Sequence, residues 1–321
     1  MLDTDGNYQM NVNPSLFLPH VVLFALGLLL LSSGCDSAVD DSNADPGDQQ
    51  VTLVATSYPL QQMLMELAKD VQNLNVATLP LDSVDWRPSS SDIQTLQKAN
   101  AILINGADYE PWLATATVSR SRIVDTSAHF KNELIKRGSS THQHGPDGPE
   151  TSQELSPYVW LDPQLAKQQA RAVAQQITMR LPDQDAVVQQ NLQRVLEKLS
   201  FDLQIQSLRQ HLQGSIVLTE PIVFDYLLAA VNAKSIEAPL AKSTKEVIDE
   251  LTARSDLPPK ALLLVSQPVT SEPLADILDQ IGVTTLHLES LITPSDNVTF
   301  FEAYETGLKR LETAAAKIKN Q

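Results

Sequence analysis

Oxygen-bearing side chains that could bind a cation follow apolar runs typical of buried strands. Glu220 stands directly after such a run in "VLTEP", and Glu289 ends the stretch "LHLES". A carboxylate beside a buried strand requires a partner, because it loses its hydration there. Two such carboxylates predict a cation site, with a buried salt bridge as the alternative. Tyr158, in "SPYVWLDP", lies at another predicted strand end and could add a phenolic oxygen.

Two histidines lie close together in the sequence. His142 and His144 belong to "THQHG", in a loop rich in glycine and proline. Such a pair could capture a metal ion loosely, and a solvated loop without metal is the alternative. His129, His211 and His287 are isolated in the sequence, so we interpret them as structural.

Motifs of several enzyme classes are absent from the sequence. It contains no GxGxxG or Walker loop, no GxSxG, no HExxH and no CxxC pair. We therefore predict that the protein is not an enzyme. The net charge is -16, and no basic stripe is present, which argues against nucleic acid as a partner.

The N-terminus resembles a secretion signal followed by a lipid-attachment site. The run from Val21 to Leu31 is apolar and too short to span a bilayer, and "SSGC" then leads to Cys35, the only cysteine. We predict a signal peptide with a lipobox over residues 1–35 and lipid attachment at Cys35, with a plain signal peptide as the alternative. The segment 36–50 is polar and acidic and cannot form a core, which predicts a flexible tether between Cys35 and the folded body.

The remaining chain alternates apolar runs with amphipathic helical patterns, which predicts an α/β fold with mostly parallel sheets flanked by helices. Asp162 and Pro163 predict the start of one helix. Apolar spacing over Asp183–Gly214 predicts a single helix about 45 Å long. We therefore predict two lobes, over 51–181 and 215–321, joined by one long linking helix at 182–214.

Several stretches resemble the metal-binding substrate-binding proteins of ABC importers, the zinc and manganese uptake family. The most specific is "RPSSSDIQTLQKANAILINGADYEPWL", and "YVWLDP", "VLTEP" and "LHLES" add to it. The resemblance implies two α/β lobes around a central cleft and no enzymatic reaction. It also implies a lipid-anchored monomer on the periplasmic or cell-surface face of a bacterial membrane, whose partners are an ABC permease and its ATPase.

The resemblance also implies where metal ligands belong. The family holds its ion with three histidines and one carboxylate, and the histidine positions hold Val84, Tyr158 and Glu220 here. Glu289 occupies the acidic position. Oxygen ligands favour a hard ion such as manganese or ferric iron over zinc. Asp85, His142 and His144 are possible accessory ligands.

The predicted function is therefore the capture of a transition-metal ion (zinc, manganese or iron) in the cleft between the lobes, for uptake by an ABC transporter. One alternative is a non-transporting lipoprotein of the same fold, an adhesin or partner-binding module that has lost metal binding. Another is an enzyme that uses Glu220 and Glu289 as an acid and base pair.

Overall fold

The computed structural model describes most of the chain after residue 49. It covers residues 50–81, 86–143, 149–220, 222–238, 240, 244–254, 260–269, 272–293 and 298–320. Cys35, Val84, Asp85 and His144 lie outside the described residues, so their predicted roles stay predictions. His142 lies at the end of a described strand.

Within the ranges that the structure describes, no helix is both long enough and apolar enough to cross a membrane.

The N-terminal half contains a four-stranded sheet in which every pair of neighbouring strands is parallel. Its two central strands are buried, as their continuous apolar sequences require. The strands, in the order β2-β1-β3-β4, and the helices between them are β1 Val51–Ala55, α1 Tyr58–Leu67, β2 Leu74–Ala77, α2 Ser90–Lys98, β3 Ala101–Ile104 and β4 Ile123–Asp125.

An antiparallel hairpin follows this sheet and leads to Tyr158. Its strands are β5 Lys136–Gln143 and β6 Pro149–Leu155. Tyr158 comes next, directly before the 3-10 turn Val159–Leu161. The prediction that Tyr158 ends a parallel strand is therefore wrong. The short apolar run between Pro157 and Pro163 forms a 3-10 turn instead of a strand, and this turn buries the side chains of Val159, Trp160 and Leu161.

Helix α3, Pro163–Arg180, begins where the sequence predicts. Asp162 is its N-cap and accepts a hydrogen bond from the backbone N–H of Gln164 at 2.7 Å. Pro163 occupies the first helical turn, where its missing N–H costs nothing.

The predicted long helix over Asp183–Gly214 is interrupted. The structure has α4 at Asp185–Lys198 and α5 at Asp202–Leu212. Between them, Leu199 and Phe201 are both buried, with 0% and 4% of their surface exposed. Residues two apart on one helix point roughly 200° away from each other. A continuous helix could not bury both side chains in one core, so the chain breaks there.

The C-terminal half contains a second four-stranded sheet with parallel neighbours throughout. Helices connect its strands, as the alternating pattern predicts. The elements, with the strands in the order β10-β9-β7-β8, are β7 Ile216–Thr219, α6 Asp225–Ala230, β8 Lys234–Glu237, α7 Thr244–Ala253, β9 Ala261–Val265, α8 Glu272–Gln280, β10 Val283–His287 and α9 Phe300–Asn320.

One hydrophobic core extends through both halves of the described chain. It includes side chains of the first sheet, of α3 to α5, and of one face of the second sheet. Helix α9 packs against both α1 and α5, which links the two ends of the chain. A second, smaller cluster covers the other face of the C-terminal sheet. The lobe boundaries at 51–181, 182–214 and 215–321 stay a prediction.

Candidate metal site

Glu220 lies at the carboxyl edge of the C-terminal sheet, directly after β7. Its Oε2 accepts a hydrogen bond from the backbone N–H of Ser266, which follows β9, at 2.7 Å. Parallel strands place their carboxyl ends at one edge, so these two loops meet. Glu220 is half-buried, and one of its carboxylate oxygens is thereby held in place.

His287 ends β10 at the same edge. Its Nε2 lies 3.1 Å from the carbonyl oxygen of Ser266. When Nε2 donates this hydrogen bond, the neutral ring keeps its lone pair on Nδ1. Glu220 and His287 therefore flank Ser266, one through its N–H and the other through its C=O. Sequence reasoning missed His287 because it is isolated in the chain, although its place at the end of an apolar run was a signal.

Glu289 lies two residues beyond the end of β10 and is exposed. It lines a cavity of about 150 Å³ together with Arg310 and Thr306 of α9. Burial, and then the negative charge of Glu289, raise the pKa of the Tyr58 phenol at the start of α1. Glu289 therefore lies near the Tyr58 side chain.

Tyr158 belongs to a cluster of three aromatic rings. Its ring centroid lies 6.5 Å from that of Tyr109 and 5.4 Å from that of Trp160, both in edge-to-face geometry. Tyr109 and Trp160 are 5.2 Å apart. Burial raises the pKa of the Tyr109 phenol well above its usual value. This cluster holds the half-buried Tyr158 ring in one orientation.

A hydrogen bond joins the segments that carry Tyr158 and Glu289. The indole Nε1 of Trp160 donates to the backbone carbonyl of Ser290 at 2.9 Å. Trp160 is two residues from Tyr158, and Ser290 is next to Glu289. The structure therefore brings the two predicted ligand segments into contact.

The predicted ligands lie at neighbouring places rather than in one closed set. Strand β9 separates β7 from β10, which places their ends about 10 Å apart. In the described part of the chain, no group of three or more histidine, cysteine, aspartate or glutamate side chains is arranged to hold a metal ion. The joint coordination of an ion by Tyr158, Glu220 and Glu289 stays a prediction. Glu220 and His287 share Ser266 as a hydrogen-bond partner.

A small aromatic cavity lies at the carboxyl edge of the N-terminal sheet. Its volume is about 20 Å³, room for about one water molecule. The guanidinium of Arg87 disfavours a bare cation at this point. The cavity is lined by Thr56, Leu81, Trp86, Arg87, Tyr109, Trp112 and Ile292.

Comparisons with known proteins agree with this fold. The family described as "ZnuA: Zinc-uptake complex component A periplasmic" matches residues 53–314. The high-affinity zinc uptake system protein ZnuA of Bacillus subtilis is 23% identical over 274 residues, which cover 82% of this chain and 85% of that protein. The zinc-binding lipoprotein AdcA of Streptococcus pneumoniae is 25% identical over 237 residues, which cover 70% of this chain and 47% of AdcA.

Solved structures show the same fold. The metal-dependent lipoprotein YcdH from Bacillus subtilis has a TM-score of 0.64 at 21% identity, with 82% of this chain and 98% of YcdH covered. Zn(II)-bound AdcA from Streptococcus pneumoniae has a TM-score of 0.62 at 19% identity, with 85% of this chain and 58% of AdcA covered. Since the family profile spans most of the sequence, from residue 53 to residue 314, this chain belongs to the ZnuA family of periplasmic zinc-uptake components.

Proposed function

We propose that this protein captures a transition-metal ion outside the cytoplasm and presents it to an ABC permease powered by its ATPase. The family match over residues 53–314 carries this proposal. Relatives named as zinc-binding or zinc-uptake proteins support a metal ion as the substrate. The proposed function involves no covalent reaction.

The proposed ion site lies where the carboxyl edge of the C-terminal sheet meets the Tyr158 segment. Two observations support this location: Glu220 and His287 both contact Ser266, and the Trp160–Ser290 hydrogen bond joins the segments that carry Tyr158 and Glu289. Carboxylate oxygens with one imidazole suit manganese and iron as well as zinc. Asp85, His142 and His144 are proposed as accessory ligands.

The proposed cellular location of the protein rests on its N-terminal residues. We propose that a signal peptide over residues 1–35 directs export and that Cys35 carries a lipid. The acidic residues 36–50 would then tether a monomeric body to the periplasmic or cell-surface face of a bacterial membrane. Mass spectrometry of the membrane-extracted protein tests this, because a Cys35→Ser variant should lose the added lipid mass.

The experiment that tests metal capture uses the protein without residues 1–35. We expect about one zinc, manganese or ferric ion per chain in titration calorimetry and elemental analysis. Removing a direct ligand should weaken binding by at least about tenfold in Glu220→Ala, Glu289→Ala and His287→Ala. Glu197→Gln, an exposed carboxylate on α4, is the matched control and should bind as the parent does. Binding of none of the three ions by the parent protein would overturn the proposal.

A further inference from the structure

Glu110 is a buried carboxylate at the carboxyl edge of the N-terminal sheet, with 7% of its surface exposed. Its Oε1 accepts hydrogen bonds from the Thr56 hydroxyl at 2.6 Å and from the backbone N–H of Asn105 at 2.7 Å. Its Oε2 accepts one from the backbone N–H of Gly106 at 3.1 Å. Thr56 follows β1 and Asn105 follows β3, so this carboxylate joins the ends of two neighbouring strands.

The loop that Glu110 holds has an unusual backbone. Gly106, Ala107 and Asp108 have φ values of 75°, 49° and 61°. Residues other than glycine rarely adopt this left-handed conformation, and it persists only where surrounding contacts maintain it. Consecutive N–H groups in such a turn form a concave site for an anion. In this protein the chain's own Glu110 occupies that site.

The same loop holds the segment that carries Tyr158. The side-chain amide of Asn105 donates to the carbonyl of Pro157 at 2.9 Å. The carboxylate of Asp108 accepts from the backbone N–H of Leu155 at 3.1 Å. Gln169 of α3 orients Asn105, because its amide donates to Asn105 Oδ1 at 3.0 Å. Two hydrogen bonds from one loop therefore hold the backbone of Leu155 and of Pro157, the residue directly before Tyr158.

We propose that Glu110 is a positioning residue for the candidate metal site. It fixes Asn105 and the left-handed residues 106–108, and this loop places Tyr158 against Tyr109 and Trp160. Glu110 touches no ion itself. The value of this placement for ion capture rests on the proposed function, whereas the placement itself can be measured without any ion.

Protonation of Glu110 provides a specific signal. Burial, with a smaller contribution from the charge of Asp125, raises the pKa of Glu110 to about 7, against the three hydrogen bonds from Thr56, Asn105 and Gly106. Because this pKa is raised, the folded protein binds the proton more tightly than the unfolded chain does. The charged carboxylate, which accepts all three hydrogen bonds, is present above about pH 7 and is lost as the pH falls through that value.

The test follows Tyr158 by NMR in metal-free protein with ring-labelled ¹³C-tyrosine, where the resonance absent from Tyr158→Phe belongs to Tyr158. We expect this resonance to shift with a midpoint near pH 7 in the parent protein and in the control Glu197→Gln. It should be displaced and independent of pH in Glu110→Gln. Asp108→Gly, which keeps the left-handed backbone accessible, should displace it as well.

An unchanged Tyr158 resonance in folded Glu110→Gln would overturn the positioning role, because Asp108→Gly tests only the contact of the loop with Leu155. If Glu110→Gln does not fold, the positioning role is tested by the pH titration of Tyr158 in the parent protein and by the Tyr158 resonance in Asp108→Gly. A metal titration at pH 8 separates the two proposals, since Glu110→Gln should bind zinc or manganese about tenfold more weakly. A displaced Tyr158 in a protein that binds no ion contradicts the proposed function and supports the positioning role.

Discussion

Only glycine fits at position 106, because of the backbone conformation there and because neighbouring side chains leave no room for a Cβ atom. Its φ of 75° lies in the left-handed region. A Cβ at this position would lie 2.2 Å from Asp125 Oδ1 and 2.4 Å from Ser127 Oγ. The Asp125 carboxylate is itself held, because Oδ1 accepts from the N–H and the hydroxyl of Ser127. Neither the backbone nor the neighbours can therefore adapt to a larger residue at low cost.

Gly214 offers a matched control, because it has the same φ of 75° and a Cβ added there would have nothing within 4 Å. Gly214→Ala should lower the free energy of unfolding by about 1–2 kcal/mol through backbone strain alone. Gly106→Ala should lower it by about 1–3 kcal/mol more, because the added methyl also clashes. Urea denaturation measures both. Equal losses in the two variants would contradict the steric account.

At the scale of elements, the break between α4 and α5 is set by packing. Phe201 packs against Tyr304 of α9, with ring centroids 5.1 Å apart. Leu199, on the other side of the exposed Ser200, is also fully buried. The Ser200 hydroxyl donates to the carbonyl of Leu196 at 2.8 Å. At the break the chain loses a few helical hydrogen bonds, and in return the side chains of both Leu199 and Phe201 are buried.

We predict that Phe201→Ala lowers the free energy of unfolding by about 3–5 kcal/mol, because it removes a buried ring and leaves a cavity. Leu203→Ala, two residues further on α5, is the control. Leu203 is 78% exposed, so its truncation should change stability by less than about 0.5 kcal/mol. Chemical denaturation of both variants measures the difference. A small effect of Phe201→Ala would show that the break does not depend on this packing.

At the scale of the whole molecule, the two sheets share one core. Buried side chains from β1, from α5 and from α9 belong to the same hydrophobic cluster. The hairpin adds polar contacts between the halves. Arg137 of β5 pairs with Asp225 of α6 at 2.9 Å and also with Glu237 of β8. Stability of the two halves should therefore be coupled.

This coupling predicts one cooperative unfolding transition. Trp86, Trp112 and Trp160 all lie in the N-terminal half, so their fluorescence reports on that half, whereas far-UV circular dichroism also reports the C-terminal helices. The two urea transitions should coincide. Leu251→Ala, in the smaller cluster on the outer face of the C-terminal sheet, should lower both midpoints together. Two separated midpoints would contradict the shared core.

The sequence by itself determined much of the local structure. Continuous apolar runs predicted parallel strands, and Asp162 with Pro163 predicted the start of α3; both are confirmed. It also placed Glu220 and Glu289 after β7 and β10. These predictions succeed because strand burial and helix capping depend on residues that are close in the chain.

Only the tertiary structure decided which of these residues meet. Glu220 and His287 share Ser266 as a partner because β9, which ends just before Ser266, lies between β7 and β10 in the second sheet. The turn at Tyr158 and the break at Ser200 likewise depend on distant partners such as Asn105 and Tyr304. The physical reason is that local periodicity specifies which face of an element is apolar. The order of strands, and the side chains that face one another across the core, follow from burying all those faces at once.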